Sequence, residues 1–336
     1  MDLCTGQNRF GAPDAVVRAA SAAVCSSQPH ALCELARRAV AERFGVTPDE
    51  VVLGAGANGL AWSVAKALVE PGSTWLSVEP SVTGFAAAAR AAGARVTQWR
   101  AVERREHRVE LDQLAELARL VQPKVISLSA PADPSGTPVP FASLCALAEQ
   151  LGDVHFVVDQ SWLALSSDHA DLEVLPPKNV ICLRSLSVEL ALSGLRAGYL
   201  LASSHVAERV ARAQPPMAAS APAAAAITAA LSERPFLERC RSELLADGAR
   251  LKELLAQLEL TFSPSVTLFT LVRVARAQEV AEELLTAHKI AVYDATRVGL
   301  PDHLRVAAPG PAELVQLKTA LEQVLERRGL VRGREA

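Results

Sequence analysis

Two serines and an arginine in the run RSLSVELALSGLRAGYL (residues 184–200) are spaced like groups that hold a phosphate. Ser185 and Ser187 offer hydroxyl donors, and Arg196 offers a cationic fork suited to an oxyanion. A second donor set comes from VVLGAGANGL, where a short strand enters a Gly/Ala turn. The amides after Ala55 and Gly56 then point out of the turn and the start of a helix, a favourable place for an anion. Ala57 keeps its backbone N–H there but has no side-chain hydroxyl. Between Ser187 and Arg196 stands Val188, which is neither nucleophile nor base. Asp159 ends the apolar run VHFVVDQ, where an ionised carboxylate needs a partner. Arg305 lies in the apolar run HLRVAA, where a guanidinium needs a carboxylate from a ligand or a structural salt bridge.

These residues must be carried by alternating strands and helices. VVLG, TWLSVEP, ARVTQWRAV, PKVISLSA, VHFVVDQ and KNVICLRSLS read as strands. GLAWSVAKALVE, SVTGFAAAARAAG, residues 111–121 and FASLCALAEQLG read as the intervening helices. A single helix is expected over residues 14–44. Continuous apolar strands in repeated β–α units predict an α/β fold with a mostly parallel sheet covered by helices on both faces. In such sheets, ligand sites gather at the carboxyl ends of the strands, where GAGA, ADPSG, Asp159 and RSLS all fall. After the hinge-like ARAQPPMAASAP the texture changes to long helices, with SVTLFTLVRV and HLRVAAP as strands. This predicts a smaller α+β unit. The expected division is an N-terminal segment (residues 1–30), a large α/β domain (31–210) and a smaller C-terminal domain (211–336).

The 336 residues include 50% hydrophobic and 21% charged residues, with a formal net charge of -3, as in an ordinary soluble globular chain. No basic face for nucleic acid stands out, because Glu103 and Glu106 interrupt Arg104, Arg105 and Arg108. No apolar run is long enough to span a membrane. The opening residues lack a signal-peptide pattern. The six cysteines are scattered without metal-ligand spacing and read as free thiols of a reducing compartment, so the cytoplasm is expected.

In order along the chain, the motifs resemble those of fold-type I pyridoxal-phosphate enzymes. The likeness is to class I/II aminotransferases of the histidinol-phosphate aminotransferase kind and their threonine-phosphate decarboxylase relatives. NRFG (residues 8–11) resembles NENPYG, APADPSGTPVP resembles NPNNPTG, and VVDQSW resembles VVDEAY. RSLSVELALSGLRAGYL resembles RSFSKAFGLAGLRLGYL, and HLRVAAPGPAE the late arginine strand. The resemblance implies that Asp159 faces the cofactor's pyridine nitrogen; the alternative is a carboxylate held by loop amides. It also implies that Gly56, Ala57, Ser185, Ser187 and Arg196 form a phosphate cup, that Arg305 binds a substrate carboxylate, and that the protein is a homodimer. Asn8 is expected to close over the site with the N-terminal segment.

Several positions depart from the family pattern. Asp133 stands where an asparagine donates to the cofactor's phenolic oxygen, and an ionised aspartate has no proton to give. Trp162 replaces a tyrosine, Val82 an aromatic and Tyr293 an arginine. Phe85, one helical turn past Val82, reads as core or as a substitute ring. Val188 stands where the family's Schiff-base lysine is expected. The resemblance therefore leaves three functions open. The first is a lysine-less aminotransferase-like protein that binds pyridoxal phosphate, pyridoxamine phosphate or another phosphorylated small molecule noncovalently. The second is a lysine-independent enzyme acting on an amino acid or its phosphate, with Asp133, Glu189 and His155 as weak acid/base candidates. The third is an aminotransferase with a lysine supplied from elsewhere.

Overall fold

In the computed structural model, residues 1–24 and 29–330 are described. The chain begins with β1 (Asp2–Leu3), α1 (Asp14–Ala22) and α2 (Pro29–Phe44). The single helix expected over residues 14–44 is therefore corrected to two. Pro29 has no amide hydrogen to continue a helix and instead occupies the opening turn of α2. The β–α alternation then follows: β2 (Val51–Ala55), α3 (Gly56–Leu68), β3 (Thr74–Glu79), α4 (Phe85–Ala91), β4 (Arg95–Arg100), α5 (Leu111–Val121), β5 (Val125–Ser129), α6 (Phe141–Gln150) and β6 (His155–Asp159). Next come β7 (Val180–Ser185), the short α7 (Leu186–Glu189), β8 (Ala197–Leu201), α8 (Ser204–Ala213) and α9 (Ala221–Ala230). The last part comprises α10 (Arg234–Gln257), β9 (Phe269–Arg273), α11 (Ala277–His288), β10 (Ala291–Asp294), β11 (His303–Ala307) and α12 (Pro311–Arg327).

The larger sheet has the order β2-β8-β7-β6-β5-β3-β4. Neighbours from β4 to β7 pair in parallel, whereas β8 is antiparallel to both β7 and β2. The reversal follows from chain length. Only residues 186–196 join β7 to β8, which is short for a crossover helix and suits a return beside the preceding strand.

Successive strand residues face opposite sides, with helices on both. Val180 and Cys182 of β7 join Val16, Val40 and Ile227 in one core, while Ile181 and Leu183 join Leu60, Phe85 and Val206 in the other. Phe85 is thus fully buried core. The same alternation sends Arg184 and Ser185 to opposite faces, and likewise Gln160 and Asp159. A third core gathers around the four-stranded sheet β1-β10-β11-β9 with α10, α11 and α12. β1 adds to that sheet parallel to β10, and Ala221–Ala230 packs instead with α1 and α2.

Candidate functional site

The carboxyl ends of β2 and β7 meet at a cup. β2 passes into α3 through Gly56, whose φ of 71° lies in the left-handed region. A Cβ at Gly56 would stand 3.0 Å from Arg196 Nη2 and 3.8 Å from Ser185 Oγ, so glycine keeps this hollow open. Gly198 plays a related part behind the turn, since a Cβ there would meet Gly56 Cα at 2.8 Å. Arg196 is itself exposed at φ 53°, with Nη1 donating to Ser193 O at 3.3 Å. Ser185 Oγ caps α7 by accepting from the Ser187 amide at 3.2 Å. The Ser187 hydroxyl is buried with no hydrogen-bond partner. Ala57 is buried in the first turn of α3. The Ser185 hydroxyl, the Arg196 guanidinium and a helix start around the glycine hollow are a donor set that fits a phosphate.

Asp159 lies on the same face of the sheet. Its Oδ2 accepts from Thr83 Oγ1 at 2.5 Å, and its Oδ1 accepts from the Ser161 amide at 2.9 Å and hydroxyl at 2.5 Å. Burial raises its pKa; the Ser161 and Thr83 hydrogen bonds oppose this, and the charge of Asp133 adds to it. The partners are therefore mainly hydroxyls rather than loop amides. Thr83, which the sequence did not single out, is the hydroxyl partner of this candidate residue. Its only signal was its place beside Val82 in VEPSVTGF.

Arg305 is held within the protein. Its Nη1 donates to Asp133 Oδ1 at 2.6 Å and its Nη2 to Cys4 O at 2.8 Å. Both side chains of the ion pair are almost fully buried. Trp162 Nε1 donates to the other Asp133 oxygen at 3.0 Å. The guanidinium carbon stands 5.4, 5.0 and 4.8 Å from the ring centres of Trp162, Phe269 and Tyr293. Trp162 meets Phe269 edge-on, with centroids 4.6 Å apart. Asp133 thus supplies the carboxylate that Arg305 requires, and an incoming carboxylate would have to displace it.

Val188 is half-buried against the core of the smaller sheet. Asn8 seals the chain over it: its amide donates to Val188 O at 3.1 Å and its Nδ2 to Glu189 O at 2.9 Å. Gly6 lies against Trp162, where a Cβ would meet the indole at 2.8 Å. Of the six lysines, Lys66, Lys124, Lys178, Lys289 and Lys318 are exposed. Lys252 is half-buried and donates to Ser265 O at 2.9 Å. His155 opens β6, at the end of the strand opposite Asp159, and burial lowers its pKa. Glu189 lines a cavity on the other face of the sheet with Arg184 and Gln160. Neither is brought to the cup.

The Arg104–Arg108 cluster is surface, with Arg108 Nε 3.0 Å from Glu106 and Arg105 Nε 3.6 Å from Glu110. No described helix is long and apolar enough to cross a membrane. The described cysteines are free, and Cys25 lies outside the described residues.

A mostly parallel sheet, a donor-lined hollow at its strand ends and an arginine on a second sheet define an aminotransferase-type architecture. The profile of the class I and II aminotransferases matches residues 1–323, and the chain belongs to this family. It is 31% identical over 294 residues to the histidinol-phosphate aminotransferase of Rhodospirillum centenum, covering 85% of this chain and 80% of that protein. It is 29% identical over 334 residues to histidinol-phosphate aminotransferase 1 of Cupriavidus pinatubonensis, covering 96% and 88%. The fold matches that of histidinol-phosphate aminotransferase from Sinorhizobium meliloti in complex with pyridoxal-5'-phosphate, with a TM-score of 0.86 at 22% identity, covering 97% and 91%.

Proposed function

We propose that this chain is an aminotransferase-fold protein that holds pyridoxal phosphate, pyridoxamine phosphate or another phosphorylated small molecule noncovalently, and that it does not carry out ordinary transamination. The observation that carries this reading is Val188 in α7, with five lysines exposed and the sixth bonded to Ser265 O. A hydrocarbon side chain can neither form an imine nor move a proton. When bound, pyridoxal phosphate supplies an electron-withdrawing ring. Ser185, Ser187, Arg196 and the first amides of α3 would hold its phosphate, and Asp159 would serve as partner to its ring nitrogen. Asp133 keeps Arg305 occupied, so capture of an α-carboxylate is opposed by an ion pair already in place. The Asn8 strap over Val188 shields that end of the cup from water.

The discriminating experiment is pyridoxal phosphate titration of the pure protein, with absorbance spectra before and after borohydride and then intact mass. Saturable binding without a reduced adduct supports the reading, whereas an adduct on one lysine refutes it. The homodimer expected from the resemblance is part of the proposal, and sizing in solution tests it.

A further inference from the structure

We propose that the cavity on the opposite face of the larger sheet from the cup is a binding site for a free α-amino acid with an apolar side chain. The cavity has a volume of about 310 Å³ and is walled by Phe44, Leu186, Ile227, Leu231 and Leu237, with Tyr199 among its polar groups. That volume lies at the small end of ligand pockets and suits a molecule the size of leucine or phenylalanine.

Three side chains lining this cavity carry a buried polar atom without a partner: Arg184, Gln160 and, at its Nδ1, His169. Arg184 is 5% exposed; its Nε donates to Gln160 Oε1 at 3.1 Å and its Nη2 to Leu172 O at 3.1 Å. Its guanidinium carbon lies 4.3 Å from the Phe44 ring centre, yet Nη1 makes no hydrogen bond. Gln160 is 2% exposed, and its Nε2 is likewise unpartnered. Native proteins rarely leave such donors unsatisfied, and together they suit a carboxylate.

The same cavity holds a carboxyl group without a side-chain partner. The Glu189 carboxyl makes no hydrogen bond or salt bridge among the described residues, only its backbone carbonyl accepting from Asn8, although the charge of Arg184 reaches it. Other charges around the cavity are engaged or lie at its rim. Arg43 and Arg234 both approach Glu173, Arg241 Nη1 donates to Ala164 O, and Glu238 is exposed. A buried guanidinium and a half-buried carboxyl group that do not bridge one another offer complementary partners to a zwitterion. The carboxylate meets Arg184 Nη1 and Gln160 Nε2, the ammonium meets Glu189, and the side chain fills the apolar wall. The site does not rest on the reading of the cup, because strand alternation places Arg184 and Gln160 on the opposite face from Asp159, although Ser185 borders both places.

Calorimetric titration of the full chain, without added cofactor, with L-leucine and L-phenylalanine tests this. The leucine analogues 4-methylpentanoate, lacking the ammonium, and 3-methylbutylamine, lacking the carboxylate, serve as probes. Saturable binding of either amino acid is expected, with affinity reduced about tenfold or more in each analogue of a bound leucine or the matching analogues of phenylalanine. Gln160→Glu puts a carboxylate beside Arg184 at nearly unchanged volume and is expected to lower affinity at least about tenfold while the protein stays folded. Glu189→Gln is expected to abolish the preference for the amino acid over its deaminated analogue. Absence of binding by both amino acids overturns the proposal. So does binding unchanged in Gln160→Glu but lost in Arg305→Gln, which assigns it to the other arginine.

Discussion

Replacing Asp133 with asparagine tests whether the protein carries its own counterion for Arg305. The carboxylate oxygen lies 2.6 Å from Arg305 Nη1, and both side chains are buried. At an effective dielectric constant of about 20, the gross attraction is about 6 kcal/mol. Removing one partner of a buried pair typically costs about 3–5 kcal/mol, because the surviving charge is stranded. Asparagine retains only one acceptor for two donors, Arg305 Nη1 and Trp162 Nε1, and turns an amide donor towards one of them. The expected loss is therefore about 3 kcal/mol, seen in denaturant titration or as a fall in Tm on the order of 5 °C. Asp133→Ala, which removes both acceptors, should cost more. Acetate offers a replacement carboxylate and should restore about 2.7 kcal/mol to Asp133→Asn at a hundred times its Kd. It should not do so for the native protein, nor for Asp133→Asn combined with Arg305→Gln. An Asp133→Asn protein as stable as the native one and indifferent to acetate would refute the idea that Asp133 neutralises Arg305.

Three further outcomes are expected. Val188→Lys should form a borohydride-reducible adduct with pyridoxal phosphate, detected by intact mass; a folded variant without one shows that the cup does not present the aldehyde to position 188. Arg196→Gln should weaken pyridoxal phosphate binding by about tenfold or more, and Ser187→Ala by a smaller factor, both read by fluorescence titration. Equal binding by both variants and the native protein would remove these residues from the cup. Burial pushes Glu189 up to about 7 from its ordinary value of 4.5, so the folded state retains a proton that the unfolded state has lost. The native protein should therefore lose stability relative to Glu189→Gln as pH rises from about 4.5 to about 7, by at most about 3 kcal/mol. Parallel stability curves for the two proteins across that window would exclude the effect.

Much of this architecture is legible along the chain because apolar runs and helical spacing are local signals. VISLS, HFVVD and VICLRS become β5, β6 and the adjacent β7, and residues 111–121 become α5. The reversal of β8 is less visible, since its run AGYLL has the same texture as its parallel neighbours. The cup is also readable, because Ser185, Ser187 and Arg196 lie within one short stretch. Arg305 and Asp133 are 172 positions apart, and their pairing emerges only when the smaller sheet packs against the larger one. Thr83 and Asp159 are 76 positions apart, and a hydroxyl beside a glycine carries no mark of its future partner. The break between α1 and α2 was available in Pro29, but the helical texture on either side obscured it.

The neighbouring residues 184–189 connect two chemically different places. Ser185 caps α7, lies beside Gly56 and also borders the cavity that Arg184, one residue earlier, lines from the other face of β7. Within α7, Leu186 and Glu189 line that cavity, the Ser187 hydroxyl is unpartnered, and Val188 packs against the smaller-sheet core. Asn8 fastens to the carbonyls of both Val188 and Glu189. A ligand that shifts Glu189 therefore pulls on the same short turn that presents Ser187 and carries the N-terminal strap. Coupling between the two places requires no long pathway, because Ser185, the cap of that four-residue helix, borders both. If both ligands bind, occupancy of the cavity should change phosphate affinity, and phosphate should change amino-acid affinity by the same factor. Inorganic phosphate titrations with and without saturating leucine or phenylalanine measure that factor, and a ratio of one would show that α7 holds both sites without linking them.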